Sequence, residues 1–313
     1  MSERGKLSLS HKDRWIQRCV LLDYLVQLHS DLNLQPETLH LAIDTLDRYC
    51  FCREVRLDQF KLLGTVTLLI ATKYSGLRAK IPTLQKLEDY CNGLYKRNDF
   101  IQLEGRVLQA LDWNLCRPTV LSLQPLALSL QPPAAAETDS EEAITHMSRY
   151  LADIALYDTI SLSHRPSVVT TCTLVLARKI LLRYRSEGRH QQLCQKTFPT
   201  PLIDPRWHFY YNKEVVQSLC KLLTCPPPVL LTKYTRKDFS FVAKMVDELV
   251  GHRKEPALKL AAEIHEPMVK FLPDHSRPHS GTLSHIRPEL VSLNDEYQNK
   301  TGHKRKRDLE EGR

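Results

Sequence analysis

Residues 62–74 read LLGTVTLLIATKY. Leu62, Leu63, Val66, Leu68, Leu69, Ile70 and Ala71 leave no polar stripe at a 3.6-residue period, so Leu57–Tyr74 is expected to form a helix apolar on nearly all sides. A helix of that kind is the central rod of a bundle, and the flanking sequence keeps the same period. Arg14–His29 places Ile16, Val20, Leu21, Tyr24, Leu25 and Leu28 at three- and four-residue steps. Pro36 occupies a first-turn position ahead of Leu39, Ile43, Leu46 and Tyr49. Pro82 is expected to open a fourth helix through Leu84, Leu87 and Cys91. Asn98 is expected to cap a fifth, carrying Ile101, Val107, Leu108 and Leu111. The pattern is all-α.

Pro118, and then Gln131-Pro132-Pro133 onward, interrupt it. The chain divides into a short tail at 1–13, a first block at 14–118, a second at 119–251 with insertions near 131–142 and 186–213, and a polar C-terminal tail at 252–313. Thr67-Leu68-Leu69-Ile70-Ala71-Thr72-Lys73 lines up with Thr173-Leu174-Val175-Leu176-Ala177-Arg178-Lys179, an offset of 106 residues. Each copy lies in the most apolar helix of its block, which suggests that one helical unit is used twice.

Composition narrows the function. Of 313 residues, 42% are hydrophobic and 26% charged, the profile of a folded rather than a disordered chain. Only 10 are glycine, and neither G-x-G-x-x-G nor G-x-x-x-x-G-K-[ST] occurs, so the commonest nucleotide-binding loops are missing. The longest apolar run, Thr65–Thr72, is far short of the ~20 residues of a membrane span, and the N-terminal stretch lacks a signal-peptide core. A soluble, intracellular protein is expected. Nine cysteines, an odd number, fit free thiols in a reducing compartment; Cys50-x-Cys52 has no second pair to complete a metal site. No cofactor or metal is called for. Thirteen scattered histidines, with no H-E-x-x-H or G-x-S-x-G, give no catalytic constellation, and His208 between Trp207 and Phe209 reads as a packed loop residue. Net charge is +8 without a continuous basic stripe, so direct nucleic-acid binding is not expected. The densest basic run, Lys304, Arg305, Lys306 and Arg307, reads as a nuclear-import signal or a solvated tail.

Taken in order, RCVLLDYLVQL (18–28), LAIDTLDRY (41–49), LLGTVTLLIATKY (62–74) and LEGRVLQALDWNL (103–115), followed by Pro118-Thr119, resemble the cyclin box. Leu156-Tyr157-Asp158, Arg165-Pro166-Ser167-Val168 and the apolar helix through Ala177 resemble the second cyclin fold. The implied architecture is two tandem helical bundles of about five helices each. Thr83–Asn92 and Leu111-Asp112-Trp113-Asn114 look most like fungal G1/S (Start-type) cyclins.

The resemblance implies a non-catalytic subunit that binds and allosterically activates a cyclin-dependent serine/threonine kinase in the nucleus and cytoplasm. Its kinase-binding groove would be flanked by Lys73 and Glu104. Without the family, Lys73 closes a buried helix and Glu104 sits among Leu103, Val107 and Leu108, and both would simply reach solvent at helix edges. Substrates would dock on a patch at Val20, Leu21, Tyr24 and Gln27. There Gln17 and Gln27 replace a Met and a Glu of many mitotic relatives, which weakens any anchor for a cationic motif. Asp47 and Arg48, with Arg18 and Asp23 as partners, are expected to form a structural charge network. The alternatives within the family are a mitotic B-type or a transcription-linked cyclin. Outside it stands a general transcription factor of the same fold that binds DNA, which would need a basic stripe and usually an N-terminal zinc ribbon.

Overall fold

The computed structural model describes residues 11–75, 80–129, 141–188 and 209–250. The tail before His11, most of both expected insertions, and the C-terminal tail with Lys304, Arg305, Lys306 and Arg307 lie outside the described residues. Among the described residues every regular element is helical.

The first block holds α1 (His11–Asp31), α2 (Pro36–Cys52), α3 (Phe60–Ser75, after a 3-10 turn at Leu57–Gln59), α4 (Leu84–Tyr90) and α5 (Arg97–Ala110). All five expected helices are present, with three starts corrected: α3 begins at Phe60, because Leu57–Gln59 forms the 3-10 turn. Helix α4 begins after Pro82, because Thr83 is its cap and accepts a hydrogen bond from the Lys86 amide (3.3 Å). Asn98 lies inside α5 and does not cap it. The Asp99 carboxylate reaches back to accept from the Lys96 amide (2.8 Å), placing the cap at Lys96 and the first helical residue at Arg97.

The second block has more elements than the expected five: α6 (Val120–Ser129), α7 (Glu141–Ala155), a single turn α8 (Ile160–Ser163), α9 (Pro166–Gly188), α10 (Lys213–Leu222), α11 (Pro228–Tyr234) and α12 (Val242–Val250). Helix α6 tolerates Pro125 within its ten residues. Helix α7 starts at Glu141 and α9 runs to Gly188, so both insertions are narrower than their expected bounds.

Each block is built round one rod. Helix α3 is buried continuously from Leu62 to Thr72 and is surrounded by α1, α2 and α5; α9 packs against α6, α7, α10 and α12. Burying threonine hydroxyls requires partners, and both rods supply them locally. Thr65 donates to Lys61 O (2.8 Å) and Thr72 to Leu68 O (2.7 Å), while Thr170 donates to Pro166 O (2.8 Å) and Thr171 to Ser167 O (2.9 Å). Gly64 lets α1 approach α3 closely, since a Cβ there would sit 2.7 Å from Leu21 Cδ1. The two blocks meet where α1 touches α11 and α2 touches α6.

Candidate functional site: a charged pair on an exposed apolar face

Helix α3 leaves the core at its last turn. Through Thr72 every side chain is covered; Lys73 and Tyr74 are exposed. Helix α5 buries Phe100, Leu103, Val107 and the following Leu111 in one stripe, which turns Glu104 and Leu108 to its margin and Ile101 outward. These two registers bring the predicted residues together. Lys73 Nζ donates to both Glu104 oxygens, at 2.6 and 2.8 Å. The Lys73 side chain is 44% exposed and that of Glu104 18%. Each keeps spare capacity, because an ammonium has three donors and a carboxylate about four acceptor sites. Gly105 follows Glu104 with nothing within 4 Å of where a Cβ would lie, so no internal contact demands glycine there.

Sequence reasoning missed the aromatic half of this face. After α5 the chain turns through Asp112 (φ 49°) and Trp113 (φ 58°), two consecutive left-handed residues without glycine. The turn is tied by Trp113 N–H to Leu108 O (2.9 Å) and Asn114 N–H to Leu111 O (2.9 Å), and Arg48 Nη1 donates to Asn114 O (2.8 Å). The result holds Trp113 68% exposed. The nearby Cys116 thiol raises the Tyr74 pKa, which places the end of α3 close to the far side of the same turn. Lys73, Glu104, Tyr74, Ile101 and Trp113 thus sit on the exposed ends and margins of α3, α5 and the turn beyond it. The signal was available: Asp and Asn flanking a residue just past a helix end tolerate the left-handed region.

The expected docking patch is smaller than proposed. Val20 is 55% exposed, but Leu21 is buried against Gly64 and belongs to the core, because α1 and α3 pack closely there. Tyr24 is half-buried; its hydroxyl is 3.0 Å from Thr65 Oγ1, and Lys61 Nζ lies 4.9 Å over its ring. Gln27 donates to Asp31 (2.7 Å). The patch thus carries one cation, Lys61 over Tyr24, and one carboxylate, Asp31 beside Gln27.

The four-residue charge network resolves into separate contacts. Arg18 holds Asp47 through two hydrogen bonds (2.7 and 2.8 Å) and gives a third to Leu156 O (2.7 Å), as its planar fork allows. Burial works against the guanidinium's charge, and the Asp47 carboxylate outweighs it, so the Arg18 pKa is raised. Asp23 instead accepts from the Tyr157 hydroxyl (2.8 Å), and burial raises its pKa. Arg48 pairs with Asp44 (3.5 Å), one turn away on α2. The eight described cysteines are free; burial pushes Cys19, Cys172 and Cys220 up to about 12, leaving them un-ionised at neutral pH. Among the described residues no group of three His, Cys, Asp or Glu is placed to hold a metal ion, and no helix is long and apolar enough to cross a membrane.

Known proteins agree with this architecture. The cyclin N-terminal domain family matches residues 3–116 and the cyclin C-terminal domain family residues 133–248. Over 191 residues the chain is 32% identical to the G1/S-specific cyclin CCN1 of Candida albicans, covering 56% of this chain and 27% of that protein. Over 246 residues it is 31% identical to the G2/mitotic-specific cyclin cig2 of Schizosaccharomyces pombe, covering 76% and 54%. Cyclin-A1-1 of Oryza sativa is 26% identical over 234 residues, covering 72% and 43%. The chain therefore spans from about a quarter to about half the length of these relatives. A viral cyclin from herpesvirus saimiri is a structural neighbour at a TM-score of 0.47 and 18% identity, covering 75% of this chain and 86% of that one. With both domain families matched in tandem across two helical blocks, the chain belongs to the cyclin family.

Proposed function

We propose that this chain binds and allosterically activates a cyclin-dependent protein kinase, and that it acts at the G1/S transition. One observation carries the kinase assignment. Lys73 and Glu104, the positions at which the family pattern places the kinase-contacting pair, are in contact at 2.6 Å between α3 and α5, and Tyr74, Ile101 and Trp113 are exposed on those helices and the turn that follows. A kinase needs its own Lys–Glu pair formed before it can position the nucleotide phosphates, and the Glu rides on a mobile helix. A partner that binds only the inward position of that helix shifts the equilibrium by its differential affinity for the two positions. An apolar face supplies the contact area, and the charged pair supplies donors and acceptors for the kinase helix and its neighbouring backbone.

The stage draws support from the G1/S-specific name of the Candida relative and from the Thr83–Asn92 and Leu111–Asn114 runs. The mitotic relatives, matched at similar identity, define the competing stage. Substrates dock at Val20 and Tyr24, and Lys304–Arg307 directs the protein to the nucleus while a pool remains in the cytoplasm. Titrating the purified chain against monomeric cell-cycle and transcription-linked kinases tests the assignment. Stimulation of the cell-cycle kinases is expected; a folded protein that stimulates neither group would refute it. Deleting Lys304–Arg307 should lower nuclear accumulation and leave stimulation in vitro unchanged; unaltered localisation would reduce the run to a solvated tail.

A further inference from the structure

Asp153, on α7, is 1% exposed and accepts from three side chains. Its Oδ2 accepts from Lys233 Nζ (2.9 Å) and from the Tyr234 hydroxyl (2.7 Å), neighbours on α11 of the same block. Its Oδ1 accepts from His40 Nε2 (3.0 Å), on α2 of the first block. An ionised carboxylate only accepts, so Nε2 is the protonated nitrogen of His40. Burial would push the Asp153 carboxyl up, but the Lys233 ammonium and the His40 hydrogen bond hold it well below the usual carboxylate range. The surroundings are closed: the Tyr234 ring lies 5.1 Å from Tyr150 and 4.9 Å from Phe239, and Lys233 Nζ sits 4.9 Å over the Tyr234 ring.

We propose that Asp153 is a latch between the two folds, joining them into one cooperative unit through His40. The two carboxylate oxygens divide the labour. The pair formed with Lys233 and Tyr234 belongs wholly to the second fold and survives if the folds part. The bond from His40 exists only while the first fold is docked on the second, where α1 meets α11 and α2 meets α6. Parting the folds would trade this bond for water on Oδ1 and on the His40 imidazole while Lys233 still neutralises the carboxylate, so the latch contributes the net worth of one hydrogen bond to a charged group. Two further bonds cross between the folds nearby, from Arg18 to Leu156 O (2.7 Å) and from Tyr157 to Asp23 (2.8 Å), but neither involves α2 or α11, the helices that Asp153 joins. This inference rests on the fold and is independent of the kinase assignment.

Hydrogen exchange read by mass spectrometry on the full chain tests it. In the unmodified protein, peptides from α2 and α11 should open together, with protection factors that rise and fall in step across a denaturant series. His40→Leu removes the first-fold arm alone and should make the two helices diverge by about tenfold, within the range of coupling between buried partners. Tyr234→Phe removes a bond internal to the second fold and should lower protection of both without separating them. Asp153→Asn should separate them and additionally loosen α11, where Lys233 loses its counter-charge. Should Asp153→Asn fail to fold, the contrast between His40→Leu and Tyr234→Phe decides. Divergence already present in the unmodified chain, or α2 and α11 still exchanging in step in His40→Leu, would overturn the latch.

Discussion

Helices α3 and α9 carry nearly the same seven residues, TLLIATK at 67–73 and TLVLARK at 173–179, yet end in opposite surroundings. Both are rods buried on all sides, and both satisfy their threonines against their own backbone. Lys73 emerges at an open edge and meets Glu104, whereas Lys179 stays buried at 6% exposure. Helix α3 stops at Ser75, just past Lys73, whereas α9 runs on past Lys179 to Gly188, so the same seven residues reach a surface only where the rod ends. A second pair of contacts sharpens the point. Lys73–Glu104 and Lys233–Asp153 are both lysine–carboxylate pairs under 3 Å, the first partly solvated and the second enclosed. A solvated pair contributes little to stability and remains available to a partner. An enclosed pair is costly to break from one side, because the charge left behind has no water to turn to.

The largest expected effect lies at the enclosed pair. Asp153→Asn should cost about 3–5 kcal/mol in chemical denaturation, and a loss under about 1 kcal/mol would mean the two pairs do not differ as described. Next come the rods. Leu68 and Leu174, equivalent in the repeat and each 1% exposed, should each cost about 2–5 kcal/mol when changed to alanine. If one is near neutral, the equivalence of α3 and α9 fails.

The pH dependence separates the two folds' contact from the open edge. His29 is buried on α1, with its Nε2 2.8 Å from Gln35 O. Burial first, then the Lys233 ammonium on α11 and the His40 ring on α2, lower its pKa to about 4, against the opposing pull of Gln35 O and of Asp153 on α7. Between about pH 6.5 and pH 4 the unfolded chain therefore binds the proton that the folded chain refuses, and stability falls as pH falls. The full loss, reached below the folded value, is about 3 kcal/mol. Denaturation of His29→Gln across this window should show a shallower slope than the parent; parallel curves would contradict the assignment.

Changes at the open edge should be small and of either sign. Gly105→Ala should raise stability by about 0.5–1 kcal/mol, because glycine in a helix interior carries an entropic cost that no contact here repays. A loss instead would reveal an internal need for glycine. Lys73→Ala should alter stability by less than about 1 kcal/mol; a larger loss would make the pair structural.

The first fold was readable because its helices are long and periodic: α1, α2 and α3 each show an unbroken apolar step. Helix α6, interrupted by Pro125, and the four-residue α8 give no such period, so the second fold came out short of two elements. Lys73 and Glu104 were found through a resemblance and not through pattern, and only the packing of α3 against α5 brings them into contact. Arg18, Asp23, Asp47 and Arg48 are legible as one charged set, but the sequence does not show that Arg18 takes Asp47, nor the long-range partners of Asp23 and Arg48. Tyr157 and Asn114 lie 134 and 66 residues from them, and no local spacing encodes that distance. Asp153 escaped for the same reason, since His40 and Lys233 meet it across 113 and 80 residues.

The central claim is that Lys73 and Glu104 are kept at the surface for a partner. Calorimetric titration of the parent, Lys73→Ala and Glu104→Ala against a monomeric cell-cycle kinase tests it most directly, with unfolding curves run on the same samples. Each variant should lose about 2–5 kcal/mol of binding free energy while remaining folded, because each strips a partner from a contact that the complex desolvates. Parent-like affinity in both folded variants would contradict the account.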